Sequence, residues 1–364
     1  MRHCKLKQSN KRPQRTRMMR FAVTVFLCGL LLVRCSPSSE INAGNSEPAV
    51  RQFFSMDTLM RIEVYGKEAE AAADAAQALI EKHDSLWSAL DENSDISKLN
   101  QSAGGPPIHV SDETFSLVEE ALYQAAYTDG AFDPTVGYLL ELWGFRHEIS
   151  RVPNKDEINI ALGGVDWTSV RMNDEDNTIQ LTFSETKLDL GGIAKGYATD
   201  RLTELLAQYD IDRALINLGG NIGVIGQKVD GSPFKVAITD PSNPDRFIGV
   251  VFAKDITVIT SGGYERFLEF DGVRYTHIMD PNSGYPVETN LASVSIVATA
   301  GGKGDALSTA LMVMGLDHSI EFWERHPDFG VVLCTATGEI HCSSNLKGVF
   351  VPESDVEVTY FGAT

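Results

Sequence analysis

The sequence predicts an α+β fold in which mixed and antiparallel sheets are covered by helices, arranged as two intimate subdomains. Three observations point there. Short apolar or alternating runs bounded by turn residues recur at 234–239, 248–252, 257–260, 267–270 and 294–298, as antiparallel hairpins require. Longer stretches with an apolar face at helical spacing lie at 67–83, 111–127, 194–209 and 305–314, scattered among the strands rather than alternating with them. Neither G-x-x-x-x-G-K-[ST] nor G-x-G-x-x-G occurs, so neither standard nucleotide-binding fingerprint is present.

The elements follow in order. Residues 1–34 hold nine Lys or Arg and no Asp or Glu, and end in a 13-residue apolar run, 21–33. That run is too short for an ordinary membrane span and reads as a targeting segment. Leu32-Val33-Arg34-Cys35-Ser36 resembles a bacterial lipoprotein processing site with Cys35 acylated. Plain signal cleavage and a retained signal anchor are the alternatives. Met18 or Met19 offers a later start with a compact basic region. Residues 35–50 are polar and turn-rich and read as a flexible tether. The folded domain is expected over 51–352, with a C-terminal tail at 353–364.

Within the domain, 55–65 reads as a strand, 67–83 as a helix and 91–100 as a polar loop. Ser111-Asp112-Glu113 is a capping signature that opens the helix 111–127. Phe132-Asp133-Pro134-Thr135 is a turn into a short aromatic helix, 136–143. Strands are expected around 170 and at 179–183. Residues 187–190 run into Gly191-Gly192 and then the helix 194–209. A strand at 214–218 ends in Gly219-Gly220-Asn221, and the last hairpin pairs 329–333 with 340–342.

The whole chain carries 31 Lys and Arg against 50 Asp and Glu, a net −19. Without the nine cations of residues 1–34, 22 face 50 and the net is −28. This argues against nucleic acid as a partner, and against binding an anionic bilayer through the protein surface. A polyphosphate ligand would need a metal ion or a locally basic pocket. Cys334 and Cys342 flank the last turn. A disulfide and two buried free thiols fit equally well.

Several polar residues sit where chemistry needs them. Asp305 and Thr309 stand one helical turn apart, so a carboxylate and a hydroxyl can share one hard cation such as Mg²⁺. Asp305 also suits simple helix capping. Gly191-Gly192 between strand and helix allows close approach of a phosphate to a helix N-terminus, with Lys195 as a neutralising cation, or is only a tight turn. His277, in Thr276-His277-Ile278-Met279-Asp280-Pro281, is a candidate acid or base, or a structural histidine. Asp133 and Asp189 open turns and suit either a ligand or turn chemistry. No Gly-x-Ser-x-Gly and no His-Glu-x-x-His occurs, which argues against serine hydrolases and zinc proteases.

A series of ordered motifs carries a resemblance. Phe132-Asp133-Pro134-Thr135-Val136-Gly137 is followed by Leu142-Trp143-Gly144-Phe145, then D-L-G-G-I-A-K-G-Y-A from Asp189, N-L-G-G-N from Asn217, T-S-G-G-Y from Thr260, T-H-I-M-D-P from Thr276 and D-A-L-S-T-A from Asp305. Together they resemble the ApbE family of FAD:protein FMN transferases of the bacterial periplasm, from about Phe54 to Phe350. The resemblance implies FAD as substrate, with Mg²⁺ at its pyrophosphate. A threonine hydroxyl of an acceptor protein attacks the FMN-side phosphorus, and AMP leaves. It places Mg²⁺ on Asp305, Thr309 and the carbonyl of Gly192. It places FAD against Met56, Ala131, Phe132, Asp133, Asp189, Lys195, Ile278 and Ser308, with His277 as acid/base. Acceptors would be flavoprotein subunits of membrane redox pumps. The location implied is the periplasmic side of a bacterial membrane, most simply the inner one, through a lipid on Cys35. Leu90 aligns where many members carry a Tyr that packs on the flavin. Members lacking it hydrolyse FAD to FMN and AMP, so a pyrophosphatase is the alternative enzyme. A non-catalytic flavin-binding lipoprotein is the alternative outside catalysis.

Overall fold

A computed structural model describes residues 47–146, 151–264 and 266–362. The expected signal peptide, the acylated Cys35 and most of the expected tether lie outside the described residues. The described residues form one compact unit, so the two expected subdomains are joined into a single body. The α+β class is as expected.

A nine-stranded sheet is the spine. Its order is Ala49–Ser55, Thr58–Gly66, Ile211–Leu218, Asn221–Ile225, Ile256–Gly262, Leu291–Ala298, Gly330–Thr335, Ile340–Ser343 and Val358–Phe361. Every neighbouring pair is antiparallel except the last, which is parallel. The helices are α1 (Ala69–Trp87), α2 (Asp95–Gln101), α3 (Asp112–Tyr127), α4 (Gly137–Leu142), α5 (Lys155–Leu162), α6 (Ala194–Leu206) and α7 (Gly301–Arg325). Of these, α1, α6 and α7 pack on one face of the spine. A three-stranded sheet of Phe234–Asp240, Asn243–Ala253 and Phe350–Pro352 covers part of the other face.

The strand period of two explains the central strands. In Gly330–Thr335, Val331 and Leu333 join the core beneath α7, while Val332 and Cys334 join the core beneath the small sheet. With both faces covered, the strand is apolar throughout. Each such Val or Leu contributes about 1.5–3 kcal/mol by leaving water. A third core joins α1, α3 and α6 to Met60, Ile62, Val64, Ala214, Ile216 and Leu218. A fourth, smaller one gathers Leu139, Trp143, Ile158, Ala161 and Met279.

The structure corrects several expectations. The strand read over 55–65 is Thr58–Gly66, the second arm of a hairpin whose first arm is Ala49–Ser55 and whose tip is Met56-Asp57, both in the left-handed region with φ of 46° and 59°. Alternation continues through a two-residue turn, so pattern alone missed it. The polar stretch 91–100 contains α2, capped by Ser94, whose side chain accepts the Ser97 N–H. Helix α5, with a capping box at Asn154 and Glu157, went unread because it is short. The expected tail includes the strand Val358–Phe361, which pairs with Ile340–Ser343 and so belongs to the sheet. The first strand starts at Ala49, two residues before the expected domain boundary. Cys334 and Cys342 are free, buried thiols, pushed up by burial to about 11 and about 12.

Candidate active site

Two helices meet unusually closely and thereby build the site. A Cβ at Gly196 on α6 would lie 2.1 Å from the Gly301 carbonyl oxygen and 2.6 Å from the Asp305 Cβ. Only glycine permits that approach. The N-terminus of α7 is capped from α6: the Asp200 carboxylate accepts the N–H groups of Gly301 and Gly302 at 2.6 and 2.8 Å. Burial raises the pKa of Asp200, against those two bonds.

The expected capping role of Asp305 is corrected by this geometry. Helix α7 starts at Gly301, so Asp305 lies inside it. Its Oδ2 instead accepts the Gly196 N–H at 2.8 Å, one of the unpaired donors at the start of α6. Oδ1 has no protein partner among the described residues, and the side chain faces a cleft although the residue is only 4% exposed. Thr309 follows one turn later on the same wall, and a Cβ at Gly192 would lie 3.0 Å from its Oγ1. A carboxylate oxygen, a hydroxyl and the Gly192 backbone thus converge. That donor set fits a hard cation that takes its remaining ligands from water and phosphate. No cluster of three or more His, Cys, Asp or Glu suited to a metal occurs among the described residues, so a closed protein cage is absent there.

The cleft has a volume of about 1080 Å³. Met56, Ala131, Phe132, Asp133, Asp189, Gly192, Lys195, His277, Ile278, Asp305 and Thr309 all line it. Ser308 does not: it is fully buried, bonded to the Asp305 carbonyl at 2.8 Å and to the Ser261 hydroxyl at 2.6 Å, and it is Ser261 that lines the cleft. It lies on the inner face of α7, behind Ser261.

Two acidic residues are engaged within the protein. Asp133 Oδ1 accepts the Thr135 N–H at 2.8 Å and hydroxyl at 2.6 Å, and burial raises its pKa. Asp189 Oδ1 accepts the Gly191 N–H at 2.7 Å, shaping the glycine turn, while Oδ2 pairs with Arg146. Desolvation lowers the pKa of Arg146. Asn100 clamps this segment by bonding both the N–H and the carbonyl of Leu188.

His277 follows the strand Val273–Thr276. Its Nδ1 lies 3.1 Å from the Arg266 carbonyl, which also accepts the His277 N–H at 3.2 Å. A carbonyl only accepts, so this contact assigns the proton to Nδ1 and leaves Nε2 free to take one. Desolvation lowers the pKa to about 4, with Arg266 and Lys195 adding repulsion, so the ring is neutral near pH 7. The Arg266 side chain reaches across to the hairpin tip and donates to the Asp57 carbonyl at 3.3 Å.

Sequence reading missed Arg146, Arg266, Trp87 and Asn221 as wall residues. The first three lie outside any recognisable signal. Asn221 closes the Gly219-Gly220 turn that was read, and its buried Nδ2 has no partner among the described residues. The Trp87 Nε1 is likewise a buried donor without one.

The cleft walled by glycine turns brings together an acid–hydroxyl pair, a neutral imidazole and local cations, groups that can hold a phosphorylated ligand. The sequence model of the ApbE family matches residues 56–333, and the chain belongs to that family. It is 34% identical over 307 residues to the FAD:protein FMN transferase of Treponema pallidum, covering 79% of this chain and 85% of that one. It is 30% identical over 326 residues to the Escherichia coli K12 protein of the same name, covering 87% and 93%. The ApbE protein of Thermotoga maritima superposes with a TM-score of 0.78 at 35% identity, covering 83% of this chain and 99% of that one.

Proposed function

We propose that this protein transfers FMN from FAD to a threonine hydroxyl of an acceptor flavoprotein, with Mg²⁺ held by Asp305, Thr309 and the Gly192 carbonyl. The observation that carries the reading is the Asp305 carboxylate, with one oxygen on Gly196 and the other free, in the same cleft as His277 Nε2. The relatives' shared name supports the activity.

Such transfer depends on positioning and charge neutralisation more than on covalent help from the protein. Bound at the site, Mg²⁺ would supply neutralisation of the pyrophosphate. His277 Nε2 takes the threonine proton as its oxygen bonds to the FMN phosphorus. The bond from that phosphorus to the AMP-side oxygen breaks, and AMP carries away the electron pair. A phosphate bound beside the ring raises its pKa from about 4, improving it as a base. Lys195 and Arg146 give local positive charge within a net-negative protein.

The reading extends to location. A lipid on Cys35 would hold the domain at the periplasmic side of a bacterial membrane, most simply the inner one, beside redox-pump subunits as acceptors. The basic and apolar stretch before Cys35 supports this. No helix among the described residues is long and apolar enough to cross a membrane.

One observation favours a second reading. Leu90 lines the cleft and is 53% exposed where many relatives are expected to carry a flavin-packing Tyr. Water would then replace the threonine, giving free FMN and AMP. The test is incubation with FAD and Mg²⁺, with and without a threonine-bearing acceptor subunit. One FMN added to the acceptor's mass, with little free FMN in its absence, supports the transferase. Free FMN and AMP with an unmodified acceptor favour the pyrophosphatase. Absence of AMP in both samples overturns both enzymes and leaves a flavin binder.

A further inference from the structure

The strands Phe267–Phe270 and Val273–Thr276 form a two-stranded sheet that pairs with no other strand among the described residues. Phe267, Phe270 and Val273 are exposed. This hairpin carries the residues immediately outside its base, Arg266 and His277, to the cleft. Two anchors fix the base. On one side Tyr275 packs on Trp143, ring centroids 5.3 Å apart. On the other, the Arg266 guanidinium spans to the Met56-Asp57 tip, 3.3 Å from the Asp57 carbonyl and 3.9 Å from its carboxylate.

That tip is itself held in place. The Asp84 carboxylate accepts the Ser55 hydroxyl at 2.9 Å and the Met56 N–H at 3.0 Å. Gly219 of the neighbouring turn approaches so closely that a Cβ there would lie 2.5 Å from Thr58. Arg266 therefore ties a lightly packed hairpin to a rigid one, and the same residue's carbonyl is the acceptor that orients His277.

We propose that Arg266 is a positioning residue for His277: its guanidinium, seated on the Met56-Asp57 turn, fixes the backbone carbonyl that selects the ring's tautomer and aims Nε2 into the cleft. The inference rests on the proton-transfer role proposed for His277. Among the described residues, two charged groups act on the imidazole, Arg266 and Lys195, both cationic. Asp57 acts on it only through Arg266. Each contact of Arg266 is exposed and individually weak. The tie therefore orders the ring without contributing much stability.

The experiment is an NMR titration of the His277 ring in the ligand-free protein, beside kcat and KM for FAD across pH, for wild type, Arg266→Ala, Arg266→Lys and His277→Ala. In Arg266→Ala the His277 pKa shifts, because the carbonyl bond that raises it and the cation and desolvation that lower it all change. The Nδ1–H tautomer is depleted. The kcat falls on the order of tenfold or more, within the range of general acid–base effects, while KM stays within about twofold, as uniform binding is untouched. Arg266→Lys keeps most of both properties. An unchanged ring pKa and tautomer in Arg266→Ala would overturn the proposal. So would a raised KM with kcat intact, which makes Arg266 a ligand contact. Normal turnover in His277→Ala sinks the proton-transfer role instead, and the ring titration still decides the positioning role.

Discussion

Gly196 and Asp305 are joined by a 2.8 Å hydrogen bond, N–H to carboxylate, across the closest contact between α6 and α7. The bond fixes one oxygen of Asp305 and leaves the other facing the cleft. It also brings the Gly192 turn, two residues before α6 begins, against Thr309.

Gly196→Ala is therefore expected to wedge the helices apart. Its Cβ meets backbone, the Gly301 carbonyl, which cannot swing away as a side chain could. Overpacking of this kind costs roughly 1–3 kcal/mol. Denaturant unfolding should show that loss, and Mg²⁺ titration of activity should show a weaker apparent affinity. Unchanged values for both would mean that the contact relaxes freely.

Asp305→Ala removes the only charged protein ligand proposed for Mg²⁺. Turnover at ordinary Mg²⁺ should fall on the order of 10²-fold or more, the scale of losing one preorganised electrostatic contact. Near-normal activity at the same Mg²⁺ would show the assignment to be wrong.

His277→Ala is expected to slow transfer by about 10²–10⁴-fold with FAD binding largely kept, because the ring acts on a proton rather than on the ligand's affinity. Isothermal titration with FAD, beside single-turnover rates, separates the two. Equal losses in both would make His277 a binding residue.

The pH dependence follows from its lowered pKa. The neutral ring is the active form, so activity should be level above about pH 6 and fall as pH drops toward about 4. The limb lies higher in kcat than in kcat/KM if bound phosphate raises the ring's pKa. A bell centred on the ordinary histidine value in kcat/KM would contradict the desolvated ring.

His83 links stability to pH. It is buried in the α1 core, stacked on Trp87 at 4.0 Å, with neither ring nitrogen partnered among the described residues, and desolvation lowers its pKa to about 4. The unfolded chain binds this proton near pH 6.5 and the folded one only near pH 4. The stabilisation of the neutral ring is thus complete above pH 6.5 and is lost as pH falls through about 4, up to about 3 kcal/mol. His83→Phe should flatten the change in urea midpoint between pH 7 and pH 4.5. An equally steep change in the variant would place the acid sensitivity elsewhere.

Much of the fold was legible because it is written at short range. Ser111 caps α3 as its Ser-Asp-Glu signature indicates, and the glycine turns at Gly191 and Gly219 lie where they were read. The Met56-Asp57 tip escaped because no glycine or asparagine marks it. Its left-handed backbone is held by Asp84, 28 residues away from Met56. Helix α2 escaped because its composition is that of a loop.

The site divides in the same way. The sequence by itself determined which turns carry glycine, which helix carries Asp305 and Thr309 one turn apart, and that a histidine precedes an Asp-Pro turn. Spacing along one element sets these relations, and local periodicity is visible in a string of residues. Only the tertiary structure decided that Asp305 bonds α6 rather than capping α7, that Ser308 lies behind Ser261, and that Arg266 orients His277. Those relations depend on hydrogen bonds and helix contacts between residues up to 209 positions apart, where Arg266 meets Asp57. Packing of the whole chain brings such partners together, and no local pattern encodes it.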